Sequence, residues 1–229
     1  GESDAARSLV RSAAFQARLN RLRAAELVDY PGVAQAKRQV LEMLYGHFRA
    51  THLAHASARA QAFRAFCAAG GERLRLHALF EALQEQFHRG DPAVWGWPAW
   101  PVPYRDPASA EVARFSQEHG EGVAFYQYLQ WQANLQLAAV GRRSYELSLG
   151  VGLYQDLAVS IDRGGAEAWA GQALYAIDAS IGAPPDPFNL KGQNWGLPPP
   201  IPGRLADGAY ASFVETLRAN MQHCGALRI

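Results

Sequence analysis

Apolar residues return at helical spacing through the first 90 positions of the chain, and the pattern changes near residue 149. Leu9, Phe15, Leu19 and Leu22 predict a helix over residues 5–28, with arginines on its other faces. Asp29-Tyr30-Pro31 predicts the start of a second helix, because proline suits the first helical turn; Val33, Val40, Leu41, Leu44 and Phe48 continue it. Ser57 is placed to cap a third, which carries Ala60, Phe63, Phe66 and Cys67 and ends at Gly70-Gly71. A fourth carries Leu76, Leu79, Phe80, Leu83 and Phe87 and stops at Gly90-Asp91-Pro92.

A stiff aromatic stretch follows, in which Trp95, Trp97 and Trp100 alternate with Pro98, Pro101 and Pro103. It reads either as a stacking platform for a ring or as a loop whose tryptophans plug a gap between helices, since a buried tryptophan supplies large packing area. Ser109 predicts the cap of a short helix through Glu118. Val123, Phe125, Tyr126, Leu129, Leu135, Leu137 and Val140 then predict a long helix from Glu121 to about Arg143.

From Leu149 to Ile161 the chain is β-rich and apolar on both faces, as in a buried parallel strand, with Asp156 its one interior carboxylate. Asp162-Arg163-Gly164-Gly165-Ala166 reads as a turn, and Glu167 to Gln172 as a helical turn or two. Beyond a long proline-rich loop, Ala206-Asp207 opens a helix through His223 with Tyr210, Phe213, Val214, Leu217 and Met221 on its apolar face; Ala226-Leu227-Arg228-Ile229 begins a second strand. Strand, loop, helix, strand is the repeating unit of a (β/α)-barrel. The expected fold is mainly α with a small α/β part. Two strands cannot close a barrel and leave bare edges, so the sequence reads as a piece of a larger fold, with self-association through those edges as one expectation.

The loop itself runs from Ile181 through Pro200. Pro184-Pro185 and Pro198-Pro199-Pro200 stiffen its ends, and neither a helix nor a central strand fits it. Trp195 and Phe188 offer flat apolar faces for a pyranose, and Asp186, Gln193 and Asn194 offer donors and acceptors for hydroxyls. A surface loop pinned by Trp195 in the core accounts for the same residues.

Net charge is +1 and the basic residues are scattered, which gives no footing for nucleic acid or an anionic membrane. No apolar run is long enough to cross a bilayer, and the polar start is unlike a signal peptide, so a soluble, cytoplasmic protein is expected. Cys67 and Cys224 read as small buried residues. His47, His52, His55, His77 and His88 bring no carboxylate at metal-ligand spacing and read as solvated or packing residues, not ligands.

Several stretches together resemble the 4-α-glucanotransferases, the amylomaltase or disproportionating-enzyme family. They are Gly182-Ala183-Pro184-Pro185-Asp186 with Gly192-Gln193-Asn194-Trp195-Gly196-Leu197-Pro198, Trp97-Pro98, Tyr104-Arg105-Asp106-Pro107, Phe125 to Trp131, Gly152 to Val159, Asp162 to Glu167, and Leu217 to Met221 with Gly225 to Ile229. Gln155 stands where many relatives carry arginine. The resemblance implies a helical insertion subdomain over 1–147 and a partial (β/α) TIM-barrel segment over 148–229 that carries an active-site loop at 181–202. It implies transfer of α-1,4-glucan units between maltooligosaccharides by a retaining double displacement, with no cofactor and no metal. Such chemistry needs two carboxyl groups roughly 5 Å apart. The family's nucleophile is expected just after Ile229 and its acid/base later still, so no catalytic residue is expected within the chain and the segment alone is expected to be inactive. By the same resemblance Arg228 would lie beside the nucleophile, Asp156 would bond donor-sugar hydroxyls, Trp195 would sit near the cleavage point, and Asp186, Phe188 and Gln193 would line the acceptor side. The competing expectation is an autonomous helical binding module without catalysis.

Overall fold

The computed structural model describes residues 3–158 and 160–229. The chain forms two compact units, Gly1–Gly70 and Gly71–Ile229. That division falls within 1–147, the stretch that the resemblance implies as one helical insertion.

The first unit is helical: α1 (Asp4–Arg11), α2 (Ala13–Ala24), α3 (Tyr30–Phe48) and the first part of α4 (Ala58–Gly90). The single helix expected over 5–28 is two, because Ser12 is extended (φ −64°, ψ 145°). Its hydroxyl donates to the Leu9 carbonyl at 2.8 Å and accepts from the Phe15 amide at 3.3 Å, so one residue closes α1 and opens α2. Asp29 caps α3 through the Gly32 amide at 2.9 Å, at the start that Asp29-Tyr30-Pro31 predicts, and Ser57 caps α4 through the Ala60 amide at 3.3 Å, as the sequence predicts. The core holds Phe15, Ala36, Tyr45, Phe48, Ala60 and Phe63, with Phe48 and Phe63 meeting edge to face at 5.5 Å. Gly71, at φ 50° and ψ −144°, interrupts α4 with a backbone shape that glycine alone tolerates well, as Gly70-Gly71 predicts.

The second unit contains the rest of α4, α5 (Ala110–Glu118), α6 (Gly120–Glu146), β1 (Tyr154–Asp156), α7 (Ala166–Ala170), β2 (Gly182–Ala183), β3 (Gln193–Asn194), α8 (Pro202–Asp207), α9 (Ala211–Met221) and β4 (Ala226–Arg228). Its core joins Leu79, Phe80 and Leu83 of α4 to Trp100, Val112, Phe115, Val123 and Trp169. Trp100 is fully buried, with Phe80 at 5.0 Å, Phe87 at 5.6 Å and Trp169 at 5.8 Å. Buried Gln84 fastens the tryptophan-rich stretch. Its carbonyl accepts from the Gly96 amide (2.8 Å) and the Trp100 indole (3.1 Å), and its amide donates to the Val94 carbonyl (3.0 Å). Trp100 is thus a core plug, Trp97 is partly buried, and Trp95 is exposed.

The strand expected over 149–161 is much shorter, although Val159 lies outside the described residues. β1 spans three residues and pairs in parallel with β4, with Tyr154 opposite Ala226, Gln155 opposite Leu227 and Asp156 opposite Arg228. Leu149, Val151 and Tyr154 are exposed, not buried on both faces, because a two-stranded ladder does not cover them. The helix expected over 206–223 divides into α8 and α9 where Ala209 (φ 50°) and Tyr210 (φ 57°) turn left-handed. On the expected apolar face Tyr210, Phe213 and Met221 are exposed. Cys67 and Cys224 are half-buried and unpaired, and burial raises the Cys67 thiol above its ordinary pKa. His52 bonds Ser57, His77 bonds Gln130 and His88 reaches the Val94 carbonyl; among the described residues no three of His, Cys, Asp or Glu gather into a metal-sized group. No helix among them is long and apolar enough to cross a membrane.

Candidate functional site

The proline-rich loop is a long irregular hairpin. The Ile201 amide donates to Leu174, Ala176 to Pro199, Ile181 to Leu197 and Trp195 to Ile181, at 2.8–3.0 Å. β2 and β3 continue the zipper, with Gly182 opposite Asn194 and Ala183 opposite Gln193. At Gly182 a side chain would collide with the Gln193 carbonyl, so the close approach of the two arms requires glycine there.

Prolines at 198–200 have no N–H to give, yet their arm is satisfied as an acceptor on both sides. The carbonyls of Leu197 and Pro199 accept from the backbone of the other arm. Those of Gly196 and Pro198 accept from side chains, Arg163 Nε at 3.2 Å and Ser160 Oγ at 2.7 Å. Successive carbonyls of an extended chain point to opposite sides, and each side has its own donors. The stretch was expected not to be a central strand, and it is not regular sheet; side chains stand in for the missing neighbour.

At the tip Asp186 spends one carboxylate oxygen on its own turn, accepting from the amides of Phe188 (2.8 Å) and Asn189 (2.7 Å). Phe188 is 93% exposed. Trp195 is 43% exposed, so it is not sunk in the core, and its indole N–H donates to Gln193 Oε1 at 3.0 Å. Asn194 accepts from Ser180 Oγ (2.5 Å) and the Gly196 amide (2.9 Å). At the hairpin's base, burial and then the Glu167 carboxylate raise the Tyr175 phenol above its ordinary pKa.

Asp156 and Arg228 face each other across the β1–β4 register, and Arg228 Nη2 lies 2.6 Å from Asp156 Oδ2. Both side chains are more than half exposed, so the pair presents a carboxylate acceptor beside guanidinium donors to solvent. The structure therefore brings Asp156 to Arg228 and Trp195 to Gln193, whereas Asp186 and Phe188 occupy the tip. Among the described residues no hydrogen bond or ion pair joins the ladder pair to the hairpin residues. Ser160, four residues after Asp156 in the chain, donates a hydrogen bond to the Pro198 carbonyl of the hairpin.

Sequence reading passed over Arg163, treating it as part of a turn. Its guanidinium donates to the carbonyls of Ile177, Ala179 (2.7 Å) and Gly196, which lie on both arms of the hairpin. Its own carbonyl accepts from the Trp97 indole at 2.9 Å, and the Trp97 amide donates to Gly164 at 3.3 Å. An arginine within a glycine-rich turn that leads into a proline-rich segment was the available signal: surplus donors beside a stretch poor in them.

Residues 5–229 match the family model described as 4-alpha-glucanotransferase. The chain is 36% identical over 218 residues to a Haemophilus influenzae 4-alpha-glucanotransferase, covering 94% of this chain and 31% of that protein. It is 35% identical over 204 residues to one from Mycobacterium bovis, covering 89% and 26%. Among solved structures it is similar to an amylomaltase from Corynebacterium glutamicum (TM-score 0.63, 30% identity, 87% of this chain and 24% of that one). It also shares its fold with an amylomaltase from Streptococcus agalactiae in complex with acarbose (TM-score 0.70, 19% identity, 94% and 45%). The chain thus spans about a third or less of the length of these two curated relatives.

Proposed function

Because this chain belongs to the 4-α-glucanotransferase family, we propose that it is the central segment of an enzyme that moves α-1,4-glucan units between maltooligosaccharides by a retaining double displacement. In this reading 1–147 is a helical insertion and 148–229 a portion of a (β/α)-barrel whose loop 181–202 faces substrate. The observation that carries it is the hairpin. A braced frame holds Phe188 and Trp195 outward, where a pyranose ring can stack, with the polar edges of Gln193 and Asp186 beside them. The acarbose complex of the S. agalactiae amylomaltase is consistent with a glucan-like occupant.

Asp156 binds donor-sugar hydroxyls and Arg228 lies beside the nucleophile, both at the strand ends, the side on which a barrel holds its chemistry. The hairpin excludes water and orients the acceptor, which favours transfer over hydrolysis. The nucleophile and acid/base that the resemblance implies lie outside these 229 residues, so the segment alone binds glucan but turns none over, and it needs no cofactor. Isothermal titration with maltoheptaose tests the reading. Heat of binding that Trp195→Ala and Phe188→Ala both reduce supports it; a chain that gives no heat, or variants that bind like the parent, count against it. Glucose release from maltotriose by the purified chain would overturn the inactive half.

A further inference from the structure

We propose that Arg163 is the positioning residue of the glucan-facing hairpin, a clamp that grips both of its arms and fixes the pose of Trp195. This deepens the glucan reading above and rests on it for its ligand.

Three observations meet at this residue. First, a single planar guanidinium serves three backbone carbonyls, those of Ile177 and Ala179 on the first arm and Gly196 on the second. Arginine's rigid fork of donors suits such a task, whereas lysine offers a point charge on a flexible stem. Second, the gripped carbonyl of Gly196 belongs to the residue directly after Trp195, so the clamp acts within one residue of the aromatic face. Third, the clamp is itself anchored. Its carbonyl takes the Trp97 indole N–H and the next residue takes the Trp97 amide, while Trp100, three residues on, sits in the unit's core. A continuous chain of contacts therefore runs from buried Trp100 through Trp97 and Arg163 to the hairpin and Trp195. Prolines explain why a side chain is needed. An arm with no amide at 198–200 cannot draw a neighbouring strand by reciprocal bonds, so its outer carbonyls depend on Arg163 and Ser160.

The test compares Arg163→Ala and Arg163→Lys with the parent 229-residue chain, using amide hydrogen exchange and maltoheptaose titration. In Arg163→Ala the amides of Ile181 and Trp195 are expected to exchange at least about tenfold faster while those of α6 keep their protection. Maltoheptaose affinity is expected to fall about tenfold at an unchanged melting temperature, because a misplaced ring loses stacking that stability does not register. Arg163→Lys, which keeps charge but not the fork, is expected to fall between and guards against a folding failure in the alanine variant. Unchanged exchange at Ile181 and Trp195, or loosening spread evenly over the unit, overturns the clamp. Loosened amides with parental affinity overturn its bearing on ligand. If the parent chain binds no maltoheptaose, the glucan reading falls and takes the ligand part with it, and the exchange result still decides the clamp.

Discussion

Gln84 occupies a core position on α4, where its neighbour Leu83 packs, and yet it is polar. Its three hydrogen bonds explain this, since they satisfy the backbone and indole groups that the tryptophan-rich stretch carries into the interior. Gln84→Leu would leave the Gly96 amide and the Trp100 indole without that partner, at about 1–3 kcal/mol for each group left unsatisfied, while the Val94 carbonyl keeps His88. A large drop in the urea midpoint is the expected outcome, and a variant as stable as the parent would contradict the assignment. Glu81, one turn from His77 on the same helix, has its pKa raised above 4.5 by burial, with the charge of His77 opposing. A folded-state pKa above the unfolded one means that the group's stabilising contribution is full below about pH 4.5 and is lost as pH rises through the folded value. Glu81→Gln should therefore stabilise the chain near pH 7, and the gain should shrink as pH falls through the raised folded-state value and be gone below about 4.5, measured by urea melts across that range. Caps such as Ser57 and Ser109 were legible because each stands at the edge of an apolar period. Ser12 was not, because the period passes straight through it, and neither was Gln84, whose partners lie beyond its helix.

At the scale of elements the helices were read well and the strands poorly, for a physical reason. A helix satisfies its own backbone, so spacing and caps carry most of the information. A strand needs a partner, and the β-rich run from Leu149 has only the three residues of β4 to pair with among those described. The break between α8 and α9 was hidden because Ala209 and Tyr210 adopt left-handed backbone without being glycines. The hairpin's position and stiffness were legible from its prolines, while its zipper to residues 174–183 was not, since those residues show no strand period. Gly182→Ala tests the zipper. The added methyl meets the Gln193 carbonyl, so the two arms must separate. Faster exchange at the Trp195 and Ile181 amides is expected, with little change in α5 and α6.

On the scale of the whole chain, the two units each carry a core of their own. In the second unit Leu149, Val151, Tyr154 and Ile229, within or close in sequence to β1 and β4, are exposed. An open two-stranded sheet with such flanks favours pairing with a second copy. Sedimentation velocity over a concentration series should show self-association, and substitutions that place lysine at Val151 and Tyr154 should reduce it; a clean monomer at every concentration would dismiss the idea. Family membership was legible from motifs that include 225–229, which holds β4 of the ladder, and 182–198, which holds β2, the tip and β3 of the hairpin. The sugar-binding chemistry of the loop was legible from its aromatics and amides, whereas the facing of Asp156 and Arg228 was not, because a pairing across strands 72 residues apart leaves no local pattern in a sequence.

The hairpin's arms are fastened almost wholly through main-chain carbonyls, and the residues from Pro184 to Leu190 take little part in that fastening beyond the turn made by Asp186. Mounting and lettering are thus separate. Substitutions at 187–191, between the two family-like stretches, can retune which sugars are welcome without unseating the frame, so diversity among homologues should collect there, while Gly182, Arg163 and the closing prolines change seldom.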